Sequence, residues 1–194
     1  MNLKKALGDS AGLRRRLLFV AWLGERLERE FGTRAVVVGG TAAEYYSGAA
    51  LATFDVDVIY ANGKHIDSVL SGEGFSKQGR YWMNDELDVT LEAPDHTLDG
   101  DEDRVISVQA SEDASAGVVH MIGLEDLIVD RLEQFAFAGA RECLEQASFL
   151  MRSDYSADID KAYLSKRIDE ISGLKAKLKP APIDVLAQIG KLGK

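Results

Sequence analysis

Asp55 and Asp57, separated by one residue in the run Thr53-Phe-Asp-Val-Asp-Val-Ile, are the side chains best placed for chemistry. On a strand both project from one face with Cα atoms about 6.5 to 7 Å apart. At that separation both can reach one Mg²⁺, whose oxygen ligands sit about 2.0 to 2.1 Å away. A carboxylate from another strand would complete a two-metal site, with ions about 3.5 to 4 Å apart serving the attacking and leaving oxygens. Asp88, in Leu87-Asp88-Val89, is the expected third member, in competition with Asp85 and Glu86. Apolar residues flank it, and it shares a face with Glu86, Thr90 and Glu92. Upstream, Val36-Val-Val is followed by Gly39-Gly40-Thr41. A strand ending in two glycines that turn into a helix offers backbone N–H groups to an anion. The missing Cβ atoms let a phosphate come close. Thr41 is expected to cap the helix and to lie beside the same anion.

Acid-x-acid triplets arise by chance in a chain with 32 Asp and Glu among 194 residues, and most Gly-Gly pairs are plain turns. The order carries the signal: strand, Gly-Gly, short helix, Asp-x-Asp on a strand, acid on a later strand.

The elements that must hold these residues follow from periodicity. Leu13, Leu17, Val20, Leu23 and Leu27 recur between charged residues and predict an amphipathic helix over 12–31. Strand 35–38 feeds the glycines, a helix over 42–46 stops at Ser47-Gly48, and 54–60 alternates as a strand with one polar face. A helix over 65–71 precedes strands at 79–83 and 86–92, joined by a hairpin-like turn at Asn84-Asp85. Residues 94–103 form a polar, acidic loop, expected to be mobile, and strands follow at 105–109 and 117–121. Beyond Gly123 the pattern turns helical, over 124–136, 140–151 and 156–171, with a last helix near 185–189 after Pro180 and Pro182. This divides the chain into a mixed α/β domain with its N-terminal helix at 1–122 and a helical region at 123–194.

With 23 Lys and Arg against 32 Asp and Glu, the net charge is −9. That balance disfavours a protein that coats nucleic acid and suits one that handles anions through metal ions. The 46% apolar and 28% charged composition is that of a globular chain, long enough to bury roughly 70% of its unfolded surface. One cysteine, Cys143, excludes an internal disulfide. His65, His96 and His120 lie too far apart in sequence for a structural zinc site. A reducing cytoplasm is the expected setting. The apolar patch at 17–23 is too short to span a bilayer, so no membrane association is expected. Lys64, Arg80 and Arg131 can neutralise phosphate but read as surface charges. Tyr45, Tyr46, Tyr81 and Trp82 read as packing residues and Cys143 as buried.

From Val36 to Leu150 the sequence resembles the nucleotidyltransferase superfamily with the DNA polymerase β-like fold. That family carries Gly-Gly or Gly-Ser, a spacer near a dozen residues, Asp-apolar-Asp/Glu and a later carboxylate. Gly39-Gly40 and Asp55-Val56-Asp57 match the first parts, with Asp88 as the third. The run is most similar to small prokaryotic nucleotidyltransferase-like proteins related to type IV toxin–antitoxin toxins. Leu124-Glu125-Asp126-Leu127-Ile128 through Arg131, with Arg141-Glu142 after it, is similar to the helix that follows the catalytic sheet there. The resemblance implies an α+β fold, a small mixed sheet flanked by helices and followed by a helical C-terminal part. It implies transfer of a nucleoside monophosphate from an NTP to an acceptor hydroxyl with release of pyrophosphate. Asp55, Asp57 and Asp88 would then be catalytic and hold Mg²⁺ or Mn²⁺, and Gly39, Gly40 and Thr41 would bind the nucleotide. The acceptor stays open among RNA, a protein and a small molecule. Two departures are plain: Ala49, Ala50 and Leu51 stand where relatives often carry arginine, and Arg131 stands where lysine is common. They motivate an alternative, a non-catalytic nucleotide-sensing or partner-binding member such as a toxin–antitoxin component.

Overall fold

The computed structural model describes residues 2–152 and 158–178. A five-residue helix, α1 (Leu3–Leu7), precedes α2 (Gly12–Phe31), whose span is that of its leucine periodicity. Helix α2 buries Leu17, Phe19, Val20, Leu23 and Leu27, each contributing about 1.5 to 3 kcal/mol by leaving water. It ends where Gly32 turns left-handed at φ 69° and its N–H donates to the Glu28 carbonyl at 2.8 Å.

The centre of the molecule is β1 (Val36–Val38), buried at every residue. On one side it pairs antiparallel with β2 (Val56–Ile59), on the other parallel with β7 (Val118–Met121). Strand β2 runs parallel to β5 (Val89–Glu92), which continues antiparallel through β4 (Tyr81–Asn84) to β3 (Ser76–Gln78). Strand β6 (Ile106–Gln109) closes the far edge beside β7. The result is one mixed seven-stranded sheet in the order β3-β4-β5-β2-β1-β7-β6. Helices flank it: α3 (Gly39–Tyr46), α4 (Gly63–Leu70) and α2, and after β7 the helical run α5 (Leu124–Glu133), α6 (Arg141–Leu150), α7 (Lys161–Glu170) and α8 (Leu174–Leu178). This is the expected α+β architecture with its helical C-terminal part.

The register decides where the site lies. Val38 stands opposite Asp57, and Asp57 stands beside Glu92. The glycines that leave β1, the acid of β2 and the acid of β5 are therefore level across three adjacent strands. Val56 and Val58 are fully buried on one face of β2, so Asp57 falls on the other.

Several local expectations change. Helix α3 begins at Gly39 itself, with Val38 as N-cap and no side-chain cap bond, so Thr41 lies inside the helix rather than capping it. The hairpin between β4 and β5 turns through four residues, 85–88, rather than at Asn84-Asp85, because Asn84 still pairs with Val89. The short elements α1 and β3 have no counterpart in the sequence reading. Helix α5 runs on into one π-helical turn, Gln134–Ala138, that ends at a left-handed Gly139. The expected helix near 185–189 and the start of the one over 156–171 lie outside the described residues. Among the described residues no helix is long and apolar enough to cross a membrane.

Candidate active site

Asp57 projects from β2 toward the turn where β1 becomes α3, and its Oδ2 accepts the Gly40 N–H at 3.1 Å. Asp55 is set by its neighbours: Thr53 Oγ1 donates to its Oδ1 at 2.9 Å, and Thr41 Oγ1 donates to its backbone carbonyl at 2.7 Å. Thr41 is fully buried. Its hydroxyl holds the Asp55 backbone from inside the helix. Phe54, between Thr53 and Asp55, is 93% exposed.

The third carboxylate is Glu92. Ligand oxygens of Asp55, Asp57 and Glu92 all lie within 4.8 Å of one another. Asp88 is not part of this group. It sits exposed in the β4–β5 turn at φ 50°, four residues and about 13 Å of strand from Glu92. Asp85 is exposed in the same turn, and Glu86 pairs with Lys4 at 2.6 Å. Glu92 occupies the position that Asp88 was expected to hold, because the parallel pairing brings the C-terminal end of β5 level with Asp57.

The two glycines are explained by the acids. A Cβ at Gly39, where φ is +60°, would lie 2.1 Å from Asp57 Oδ2, and one at Gly40 would lie 2.6 Å from Thr53 Oγ1. Here the space the glycines leave is filled by this chain's own Asp57 and Thr53.

Burial and the charge of Asp55 push the Asp57 carboxyl from 3.8 up to about 6. Glu92 adds to the rise, while the Gly40 N–H and the Arg131 guanidinium oppose it. A carboxyl made to hold its proton among other carboxyls is a site short of positive charge. All-oxygen donors converging in this way suit a hard divalent cation such as Mg²⁺ or Mn²⁺.

Asp57 and Glu92 open onto a cleft of about 510 Å³, walled by Gly39, Ile59, Arg80, the 94–99 loop and the end of α5. Six of its carboxylates, Asp57, Glu92, Asp95, Asp99, Asp130 and Glu133, face two guanidiniums. Burial raises the Glu133 carboxyl, with Asp99 and Asp130 adding to the effect. Arg131, nearly buried, is held by Asp130 at 2.8 Å and is close enough to Asp57 to oppose its protonation. Arg80, on the opposite wall, pairs with Glu92 at 2.5 Å. Of the cations noted in the sequence, Arg80 and Arg131 line the cleft, and Lys64 does not.

The acidic loop is tied down. The Asp101 N–H donates to Asp126 at 3.0 Å, and Asp99 pairs with Arg167 of α7 at 2.9 Å. Asp126, 1% exposed, also accepts from the Tyr163 hydroxyl at 2.9 Å and from Arg167 Nε at 2.9 Å. Glu125 accepts the Asp160 N–H at 2.7 Å. The Glu125-Asp126 pair at the start of α5 therefore fastens the cleft wall to α7. Arg141 and Glu142 are exposed at the start of α6. Tyr46, Trp82 and His65 do structural work. Tyr46 donates to the Ile122 carbonyl at 2.9 Å, Trp82 donates to Asp67 at 2.7 Å, and His65 stacks on Phe31. Cys143 is buried, as expected.

No family model and no curated protein matches the chain. Among solved structures it is similar to the crystal structure of an antigenic nucleotidyltransferase-like protein from Paracoccidioides brasiliensis, at a TM-score of 0.51 and 17% identity. The match covers 83% of this chain and 92% of that one. At that identity the likeness is one of fold, and the fold of this chain is nucleotidyltransferase-like.

Proposed function

We propose that the protein is a metal-dependent nucleotidyltransferase that moves a nucleoside monophosphate from an NTP to an acceptor hydroxyl and releases pyrophosphate. The observation that carries this reading is the convergence of Asp55, Asp57 and Glu92 at the glycine turn of a nucleotidyltransferase-like fold. These three would hold Mg²⁺ or Mn²⁺, and the bound cation would neutralise the triphosphate and favour the in-line displacement. Gly39 brings backbone to the cleft, and it and Gly40 would lie against the nucleotide. Arg131, pinned by Asp130, offers a fixed guanidinium to phosphate oxygens. Glu92, as second-metal ligand or as general base, would serve the attacking hydroxyl, whose proton leaves as the new P–O bond forms and pyrophosphate departs.

The test is thermal unfolding with each of the four NTPs, with and without Mg²⁺, on the wild type and on Asp55→Ala/Asp57→Ala, followed by a pyrophosphate-release assay. A nucleotide at a hundred times its dissociation constant stabilises by about 2.7 kcal/mol. A Mg²⁺-dependent shift that the double variant lacks supports the site, and its absence with every nucleotide removes it.

A second reading, a nucleotide-sensing or partner-binding protein without turnover, such as half of a toxin–antitoxin pair, is favoured by one feature. The loop leading into Asp55 exposes Ala49, Ala50, Ala52 and Phe54 and carries no cation for a triphosphate. It predicts no pyrophosphate released, whatever acceptor is offered, and for a purely partner-binding member no thermal shift with any nucleotide.

A further inference from the structure

Arg80 stands where a cation is needed twice. Its backbone is held beside the third carboxylate: the Arg80 carbonyl accepts the Ala93 N–H at 3.3 Å, and the next residue, Tyr81, pairs across the strands with Glu92. Its guanidinium reaches across to Glu92 Oε1 at 2.5 Å. The two partners differ in burial, since the Glu92 side chain is 10% exposed and that of Arg80 is 57% exposed. The carboxylate is fixed and the arginine is a long arm rooted at the rim. Glu92 belongs to the same convergent group as Asp55 and Asp57, so Arg80 occupies one lobe of the carboxylate set that the metal reading assigns to a divalent cation. Without that cation, three clustered carboxylates need a positive neighbour, and Arg80 supplies it. With the cation in place, the guanidinium loses its partner's charge while staying rooted in the wall of the cleft. Guanidinium then finds its best partner in a polyphosphate, which it can grip with two parallel N–H donors.

We propose that Arg80 is a positioning residue that exchanges partners: it holds Glu92 in the metal-free protein, and on metal binding it passes to the phosphate chain of the substrate. This rests on the metal-site reading above. It makes metal and polyphosphate binding mutually supportive, because each removes what holds Arg80 back from the other.

The test is a calorimetric titration with Mn²⁺ alone, and then with magnesium tripolyphosphate, on the wild type, Arg80→Gln and Arg80→Lys. Exchange predicts opposite effects in the two arms. Arg80→Gln binds Mn²⁺ about two- to fivefold more tightly, the scale of a partly exposed ion pair removed as competitor. It binds magnesium tripolyphosphate at least about fivefold more weakly, through loss of charge-assisted hydrogen bonds. Arg80→Lys, which keeps the charge, stays close to the wild type for Mn²⁺. If Arg80→Gln weakens Mn²⁺ binding, Arg80 only braces Glu92, and the exchange is overturned. If Mn²⁺ binding or tripolyphosphate binding is unchanged in Arg80→Gln, the exchange is overturned while the metal site stands. If the wild type binds no Mn²⁺, and Asp57→Asn behaves identically, the metal-site reading fails and takes this proposal with it.

Discussion

Gly39 has no side chain where Asp57 has its carboxylate: a Cβ on the one would lie 2.1 Å from Oδ2 of the other. The glycine turn and the acidic strand are thus fitted to each other before any ligand arrives. Gly39→Ala forces a residue with a side chain into φ +60°, at roughly 1 to 3 kcal/mol, and drives Asp57 out of position. Denaturant unfolding should show that loss, and a Mn²⁺ titration should show weakened binding. Gly24 is the control, since the space beside it is open. Gly24→Ala lies within α2 and should stabilise by about 0.5 to 1 kcal/mol.

Asp57 gives the metal-free protein a pH signature. Its carboxyl titrates near 6 in the folded protein against 3.8 as an ordinary aspartate, so the folded state holds this proton more tightly than the unfolded chain. Stability from this group is present in full below about pH 4 and falls as pH rises through 6, by on the order of 2 to 3 kcal/mol. Asp57→Asn should flatten the profile between pH 4 and 6 and leave the variant more stable than the wild type at neutral pH without metal. Proton and cation compete for the same oxygens, so Mn²⁺ affinity of the wild type should climb through pH 6 and then level off. Chemical denaturation across pH, with chelator and with Mn²⁺, checks both arms.

Glu92 and Asp88 lie on or beside the same strand and should behave oppositely. Glu92→Gln should lower Mn²⁺ affinity at least about tenfold, since changes even to groups that only support a ligand cost about 10- to 100-fold. Asp88→Asn should leave it unchanged, because Asn tolerates the left-handed turn that Asp88 occupies. Paired titrations by electron paramagnetic resonance of free Mn²⁺ separate the two. A metal affinity that followed Asp88 would move the site to the hairpin.

That pair also marks how far the sequence could be read. Helix α2, the Val36–Val38 strand, the glycine turn and the Asp55-Val-Asp57 strand all leave local signals: leucines at helical spacing, a β-branched run, an alternation of apolar and acidic residues. The choice between Asp88 and Glu92 has no local signal, because the sequence places both on one face of one expected strand, 86–92, each after a leucine. It is made by the parallel pairing of β2 with β5, a contact between segments more than thirty residues apart, and by a turn two residues longer than Asn84-Asp85 suggested. Arg80 and Arg131 were visible as cations but not as cleft residues, since only tertiary packing tells a lining arginine from a surface one. The π-helical turn after α5 and the three-residue polar strand β3 are too short for periodicity to register.

Asp126 ties three segments together, so its loss should be felt globally. With Tyr163, Arg167 and the Asp101 N–H all bonded to one nearly buried carboxylate, Asp126→Ala should cost about 3 to 5 kcal/mol, a fall of several degrees in Tm. Tyr163 reports it separately. Burial and its bond to Asp126 hold the phenol at about 12, and in the milder Asp126→Asn variant its ultraviolet titration should drop toward 10. A thermal loss without that drop would mean that Asp126 stabilises the fold by another route.

Phe54 stands almost wholly in solvent beside the acid pair, between Thr53 and Asp55, whose side chains are hydrogen-bonded to each other. An aromatic ring that packs against nothing can be exchanged for another without disturbing the interior. Tryptophan at this position would be an optical reporter seated one residue from Asp55 of the acid cluster. Its emission would stand apart from that of Trp22 and Trp82, both about 4% exposed and so shielded from bulk water. The chain thus offers, one residue from Asp55, a place from which binding at the acid cluster can be followed in real time and without an added dye.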